Sequence, residues 1–387
     1  MSSTSNQSHA ASCSLRTRPS FFRSVFRWFF AMMVGLSFAV NFLILAAILA
    51  AGGIVNGPLS NDEERPLREL FHSGSKPAKD KIALVRIDGI ILEGMISYFR
   101  RQLADAADDN LVKAVVVRIN SPGGSITASD DLYNRIKILR DGNSNKGTQP
   151  KPIVVSMAGL AASGGYYIAM PAKHLVAERT TITGSIGVYA AFPNVAQLAD
   201  DWGVKMEVIK AGEVKDSGSM FHAMTVQERR LWQDMVDNAY GQFLSVVKEG
   251  RAEKLKYDPR EDIQEERKKI PDTDKDGKKV MVEYSRKLAD GGIFSSDQAM
   301  QYGLIDQIGY LDDAIAVAKK LAALGDNYKV ISYEKPRSLV ETLFGVKAPA
   351  PEANWNWSKV AETTGARIWY LMPQSGLSGL LAAGNEN

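Results

Sequence analysis

Cysteine occurs once in the 387 residues, at Cys13, so no disulfide can close within the chain. Histidine is nearly as scarce. His9, His72, His174 and His222 are too few and too scattered for a zinc finger or a multi-histidine metal centre. Acidic residues are missing from positions 1–61, which carry Arg16, Arg18, Arg23 and Arg27. The formal charge of +3 is therefore gathered at one end, and the remainder is close to neutral. A near-neutral body of this kind excludes a nucleic-acid partner. With 45% apolar and 24% charged residues, the composition excludes a disordered or collagen-like chain.

Charge is also absent from Trp28 to Ala51, where Asn41 is the single amide. A helix over 28–51 is about 36 Å long, enough to cross a hydrocarbon core of about 30 Å. All four arginines precede it, and Asp62, Glu63 and Glu64 follow. The positive-inside bias makes residues 1–27 a cytoplasmic N-terminus of a single-pass protein in the cell inner (plasma) membrane, with the body outside the cytoplasm. A cleaved signal peptide is the competing reading, but its apolar core spans only about 7–15 residues. Residues 52–80 read as a tether.

Beyond it, strand and helix patterns alternate. Lys81–Leu92, Val112–Ile119, Pro152–Met157 and His174–Glu178 read as strands, and Ser97–Asn110 and Ile126–Leu139 as helices. Continuous apolar strands separated by helices predict an α/β body with a mostly parallel sheet over 81–335. Thr225-Val-Gln-Glu228 is a capping box opening a helix whose apolar residues are Leu231, Met235, Tyr240, Phe243, Leu244 and Val247. Residues 252–286 are a charged insertion, helical pattern returns over Ser296–Leu324, and 336–387 form a C-terminal tail.

Two loops leave predicted buried strands with reactive chemistry. Ser121-Pro122-Gly123-Gly124 lets backbone N–H groups approach a ligand, as an oxyanion hole requires, and equally suits a plain turn. Ser163, between small residues at a predicted helix start, exposes a hydroxyl beside N–H donors, and equally suits a packed helix start. A nucleophilic serine needs a base. Of the histidines, only His174 and His222 lie in the body, the second near Asp216. The alternative is a desolvated neutral lysine, with Lys205, Lys210 and Lys215 as candidates that spacing does not separate.

Taken together, VVRINSPGGS (116–125), AASGGYYIAM (161–170), TITGSIGV (181–188), IKAGEVKDSGS (209–219) and LADGGIFSSDQAMQYGLIDQIG (288–309) resemble the signal peptide peptidase A family of membrane-anchored serine proteases, from about Ile82 to Leu321. The resemblance implies a crotonase-like (Clp protease-like) fold of repeated β-β-α units and a Ser/Lys dyad. Ser163 resembles the nucleophile, Lys215 the general base and Ser185 the residue that holds that lysine. Gly124 and Gly164 would supply oxyanion N–H groups. No metal, nucleotide or other cofactor is implied. The expected substrates are hydrophobic peptides such as remnant signal peptides, and the expected assembly is a homo-oligomer whose neighbours contribute to each site. The pattern departs from the family at Gly292 and Ser296, where an Arg and a Gly are expected. Two rival readings remain: acyl-CoA chemistry on the same fold, and a catalytically silent binding module.

Asp272, Asp274, Asp276 and Glu283 match the spacing of an EF-hand calcium loop, with Gly277 at the turn. Lys275, Lys278 and Lys279 dilute its charge, so a solvated loop is the competing reading. The tail is too short and interrupted for a second span, and its aromatic residues (Phe344, Trp355, Trp357, Trp369, Tyr370) suit core packing or a subunit contact, with a membrane-surface segment as the competing reading.

Overall fold

The computed structural model describes residue 25, residues 28–43, 67–273 and 277–334, and the backbone at 368–371. The chain divides into two units, Met1–Arg65 and Pro66–Asn387. In the first, residues 28–43 form a helix (α1) whose apolar side chains are exposed. Residues 44–51 of the expected span lie outside the described residues. Among the described residues no helix is long and apolar enough to cross a membrane.

The second unit is built on a mostly parallel sheet. Its strands are β1 (Arg68–Gly74), β2 (Lys81–Asp88), β3 (Val112–Ser121), β5 (Ile153–Ala162), β6 (His174–Ala177), β7 (Ile182–Gly184), β11 (Ile293–Ser295), β12 (Gln307–Ile308) and β13 (Lys329–Glu334). The order is β1-β13-β2-β3-β5-β6-β12, with β7 continuing from β5 and β11 beside β7. Only β1 and β11 pair antiparallel. The tether reading for 52–80 is therefore too long. Residues 68–74 are an edge strand against β13, and their sequence RELFHSG carries little apolar signal because most of it faces solvent.

Apolar runs occur in the central strands because both faces are covered. Ile82, Leu84, Ala114, Val116 and Val154 pack on Ala314, Ile315 and Ala318 of α8 (Leu311–Leu321). The alternate residues Val85, Ile87, Val115, Val117, Val155 and Met157 face the larger core. That core receives α2 (Ser97–Asp108), α3 (Ile126–Asp141), the one-turn α4 (Gly164–Tyr167) and part of α6 (Val226–Arg251). The short α5 (Ala196–Asp201) buries nothing.

The Thr225 capping box is present with its Glu228 buried, but α6 meets the hydrophobic core only in its second half, through Ala239, Phe243, Leu244 and Val247. Leu231 and Met235, expected on the packed stripe, are exposed. The helix is rooted at its C-terminal end. Arg251, 1% exposed, meets Asp306 through two N–O contacts of 3.0 Å, and Leu175 N donates to the same carboxylate. The helical pattern over 296–324 is interrupted: α7 (Ser296–Gln301) stops, β12 pairs with β6, and α8 follows.

Within the charged insertion, Lys268–Thr273 (β9) and Lys279–Tyr284 (β10) form an antiparallel hairpin of largely exposed residues. This corrects the calcium reading. Asp272 pairs with Val280 and Glu283 with Lys269. The two acids are three register steps apart, about 10 Å along the strand and on opposite faces, not folded around one ion. Asp274 and Asp276 lie outside the described residues. Two further short strands, β4 (Gly123–Ser125) and β8 (Tyr189–Ala190), lie on either side of β14 (Ile368–Leu371) in a separate three-stranded sheet.

Candidate active site

Strand register brings the two reactive loops side by side. Ser121 of β3 lies opposite Ala161 of β5, and Ala162 of β5 opposite Gly184 of β7. Gly124, Ser163 and Ser185 thus emerge beyond the carboxyl ends of neighbouring parallel strands, where α/β sheets carry their sites. The loops are packed backbone to backbone. A Cβ on Gly124 would lie 2.0 Å from the Ile91 carbonyl oxygen, and one on Gly165 would lie 2.8 Å from that of Ser121. Glycine is required at both by close approach. Ser121 Oγ accepts from Gly123 N at 3.1 Å and ties the first loop to its own strand.

Ser163 sits at φ 54°, ψ −117°, a conformation that costs a non-glycine residue about 1–3 kcal/mol. It is held there by its N–H, which donates to Gly184 O at 2.8 Å, and by its C=O, which accepts from Tyr167 N at 2.8 Å. The side chain is buried, and among the described residues its Oγ has no hydrogen-bond partner. An unpaired buried hydroxyl on a strained backbone is the pattern of a group kept for a reaction rather than for stability. Gly164, next in the chain, opens α4, and the leading N–H groups of a helix have no partner inside it.

Ser185 is also at positive φ, 51°. Its N–H donates to Gly292 O at 2.8 Å and its Oγ to Gly291 O at 3.2 Å. The turn that supplies these carbonyls is itself clamped. Arg286 reaches both oxygens of Asp290 (2.9 and 3.1 Å), donates to Ile293 O at 2.9 Å and lies 4.2 Å over the Phe294 ring. Asp290 in turn accepts from Gly292 N at 2.8 Å. Burial pushes the Asp290 carboxyl up, but the Arg286 and Gly292 hydrogen bonds outweigh it and hold the group below its usual value. Arg286 also accounts for Gly292, since a Cβ there would lie 2.3 Å from Nη2 of Arg286. Ser296, the other departure, is buried and donates to Glu178 O at 2.5 Å and Thr181 O at 3.2 Å, fastening the turn before β7. Sequence reasoning missed Arg286. Its one signal is the i, i+4 spacing to Asp290, which also occurs in many solvated pairs.

The bases are distributed differently. Lys215 is exposed, and among the described residues no hydrogen bond links it to Ser163 within one chain. Lys210 pairs with Asp216 at 2.5 Å, and Lys205 is exposed. His174 is satisfied by Gln307 at 3.3 Å. His222 faces Asp216 at 3.6 Å and Glu228 at 3.9 Å, and among the described residues no hydrogen bond links it to Ser163. Its ring Nδ1–H donates to the Ala223 carbonyl and the ring lies between two carboxylates; the first contact and then those charges raise its pKa against the effect of burial. These three side chains hold polar atoms within 4.8 Å of one another, but Lys210 and the capping box already engage both carboxylates. They fasten the Lys215 loop to the start of α6, as does Trp232 Nε1, which donates to Ser217 Oγ at 2.8 Å.

The sequence profile of peptidase family S49 matches residues 145–267 and 260–325, which include Ser163, Ser185 and Lys215. Over 268 residues the chain is 32% identical to slr0021 of Synechocystis sp., named as a candidate protease, covering 69% of this chain and 84% of that one. The chain belongs to peptidase family S49. This S49 chain is also 27% identical over 367 residues to a candidate signal peptide peptidase SppA of Enterococcus faecium, covering 89% of itself and 95% of the relative. It is 30% identical over 288 residues to the chloroplastic serine protease SPPA of Arabidopsis thaliana, of whose length it spans 37%. Membership of the signal peptide peptidase A group makes it a serine peptidase with a mixed α/β fold on a parallel sheet.

Proposed function

We propose that the chain is a membrane-anchored endopeptidase that works by a Ser/Lys dyad on apolar peptides outside the cytoplasm, remnant signal peptides among them. The observation that carries the reading is Ser163: a buried, unpartnered hydroxyl on a strained turn beside the glycine-rich loop. A Clp-like arrangement of repeated β-β-α units is the finer fold that goes with it. Ser163 Oγ attacks the scissile carbonyl while a neutral lysine takes its proton, and the Gly124 and Gly164 N–H groups stabilise the oxyanion. The lysine ammonium returns that proton to the amine as the C–N bond breaks, and water, deprotonated by the same lysine, then hydrolyses the acyl-enzyme to free acid and serine.

The base is Lys215 of a neighbouring copy, held by Ser185 of the copy that carries Ser163. Supporting this, Lys215 projects from a segment that a single chain leaves open to water. Trp202 is 80% exposed, and Met206, Val208 and Ile209 are exposed with it. An apolar strip of this kind marks a contact surface. Burial in such a contact would desolvate Lys215 and make the neutral amine available.

Anchoring rests on the uncharged run 28–51, of which α1 covers the first part, and on the four arginines before it. The test is complementation. Ser163→Ala and Lys215→Ala each abolish cleavage of an apolar fluorogenic peptide. Co-assembled in equal amounts, they recover roughly a quarter of wild-type sites if each site draws on two copies. Cleavage by Ser163→Ala alone overturns the proposal, and mixtures that stay inactive overturn its shared site.

A further inference from the structure

Asp216, His222 and Glu228, none of them used in the proposed reaction, converge where the Lys215 loop meets the start of α6. His222 Nε2 is buried and, among the described residues, has no hydrogen-bond partner. It lies 3.6 Å from Asp216 Oδ2 and 3.9 Å from Glu228 Oε1. One ligand-type atom from each of the three falls within 4.8 Å of the others. Glu228 is 3% exposed, and carboxylates this deeply buried are paired or coordinate metals.

The other polar atom of each side chain is already engaged. His222 Nδ1–H donates to Ala223 O at 3.0 Å, which leaves Nε2 of the neutral ring as a lone-pair donor. Lys210 takes Asp216 Oδ1 at 2.5 Å, and Thr225 N–H takes Glu228 Oε2 at 2.7 Å. Each partner occupies one oxygen and leaves the second facing the imidazole. Metal sites are built this way: outer hydrogen bonds orient each ligand and fix the histidine tautomer.

We propose that Asp216, His222 and Glu228 bind one zinc-type divalent ion that fixes the Lys215 loop to α6. Two carboxylates and a neutral imidazole balance its charge, and the imidazole favours such an ion over magnesium or calcium. Bonds of about 2.0–2.2 Å in a tetrahedron set ligand atoms about 3.4 Å apart, so the 3.6 and 3.9 Å edges close by about half an ångström or less. His222 also lines a cleft of about 650 Å³ with Ser219, Met224 and Trp232, which gives an ion its entry and a water the fourth corner. In the ion-free chain a proton on His222 ties the same carboxylates more weakly, and the ion takes its place. Asp216 follows Lys215 directly in the chain, so the ion positions the proposed base. The ion site stands on its own geometry, and its bearing on catalysis rests on the reading of Lys215 given above.

The test uses the tag-free, detergent-solubilised full chain, stripped with a chelator, beside His222→Gln and Glu228→Gln. Glutamine at 228 still completes the capping box with Thr225, so that variant removes a ligand's charge and keeps the helix start. Zinc chloride is titrated by calorimetry. The wild type should take one zinc per chain, and both variants should bind at least about 100-fold more weakly, since even an outer hydrogen bond is worth about 10–100-fold. Zinc should raise hydrogen-exchange protection over residues 210–222 in the wild type and in neither variant. It should also raise kcat for an apolar peptide with KM little changed, by up to the order of 100-fold that a misplacement of about 1 Å costs. No stoichiometric binding by the wild type, or equal binding by either variant, overturns the site. Zinc bound with protection and kcat unmoved or lowered overturns its hold on the base. Zinc bound and the loop protected, with no cleavage in any state, overturns the peptidase reading and leaves the ion site standing.

Discussion

Replacing Arg286 by alanine removes the clamp on the turn that cradles Ser185. Four interactions go at once: two hydrogen bonds to Asp290, one to Ile293 O, and the stack on Phe294. The two side chains are 14% and 28% exposed, so Asp290 is left half-buried without its partner. Removing one member of a buried pair costs about 3–5 kcal/mol, and this partial exposure favours the lower end. The functional loss follows from position, since a displacement of about 1 Å at a reacting group costs on the order of 100-fold in rate. We expect kcat for peptide cleavage to fall by that order with KM little changed, and urea unfolding to show a loss of about 3 kcal/mol. Arg286→Lys keeps the charge but loses the fork and falls between. Because Asp290 is held below its ordinary 3.8, its share of the stability is present above that pH and is lost as pH falls further. The advantage of the wild type over Arg286→Ala therefore shrinks in acid. Loss of under about 1 kcal/mol with kcat unchanged would refute the reasoning.

Gly124→Ala puts a methyl group against the Ile91 carbonyl, where backbone must move, and turnover should fall about 100- to 1,000-fold while circular dichroism stays native. Asp306→Asn unpairs the buried Arg251 and should cost about 3–5 kcal/mol in denaturant unfolding. Arg251 and Lys254 bring the Asp306 carboxyl down to about 2 against the upward push of burial. Its stabilisation is thus full above about pH 4 and lost as pH falls through about 2, a limb that the Asn variant lacks. The His222 pKa is raised above its ordinary 6.5, so its hold on the Lys215 loop is complete below that value and fades as pH rises through the raised one. Hydrogen-exchange protection over residues 210–222 should fall across that window in the wild type and stay flat in His222→Gln.

Legibility followed burial. The central strands were readable because both faces are apolar, and the Thr225 capping box announced α6 to the residue. β1 was lost in the tether because an edge strand with most side chains in water keeps few apolar residues. The extent of α6 burial was misjudged for a related reason: an apolar stripe reads the same whether it meets a core or an open face, as Leu231 and Met235 do. Acid spacing alone suggested a calcium loop over 272–283, whereas a β ladder holds Asp272 and Glu283 apart. At the site, the two glycine loops and Ser163 were visible as motifs, but their closeness depends on the register Ser121–Ala161, which local sequence does not encode. β14 was invisible for the same reason, since its partners are hundreds of residues away.

The rooting of α6 has a consequence for how copies fit together. At 26 residues the helix is a strut of about 39 Å, welded to the core at Arg251 and tied near its start to the Lys215 loop through Glu228 and Trp232. The lysine loop rides on that end, so strut length sets how far one copy can extend a base towards another. Deleting four residues from its exposed half would retract that end by about 6 Å, leaving every chain folded and every proposed dyad out of reach.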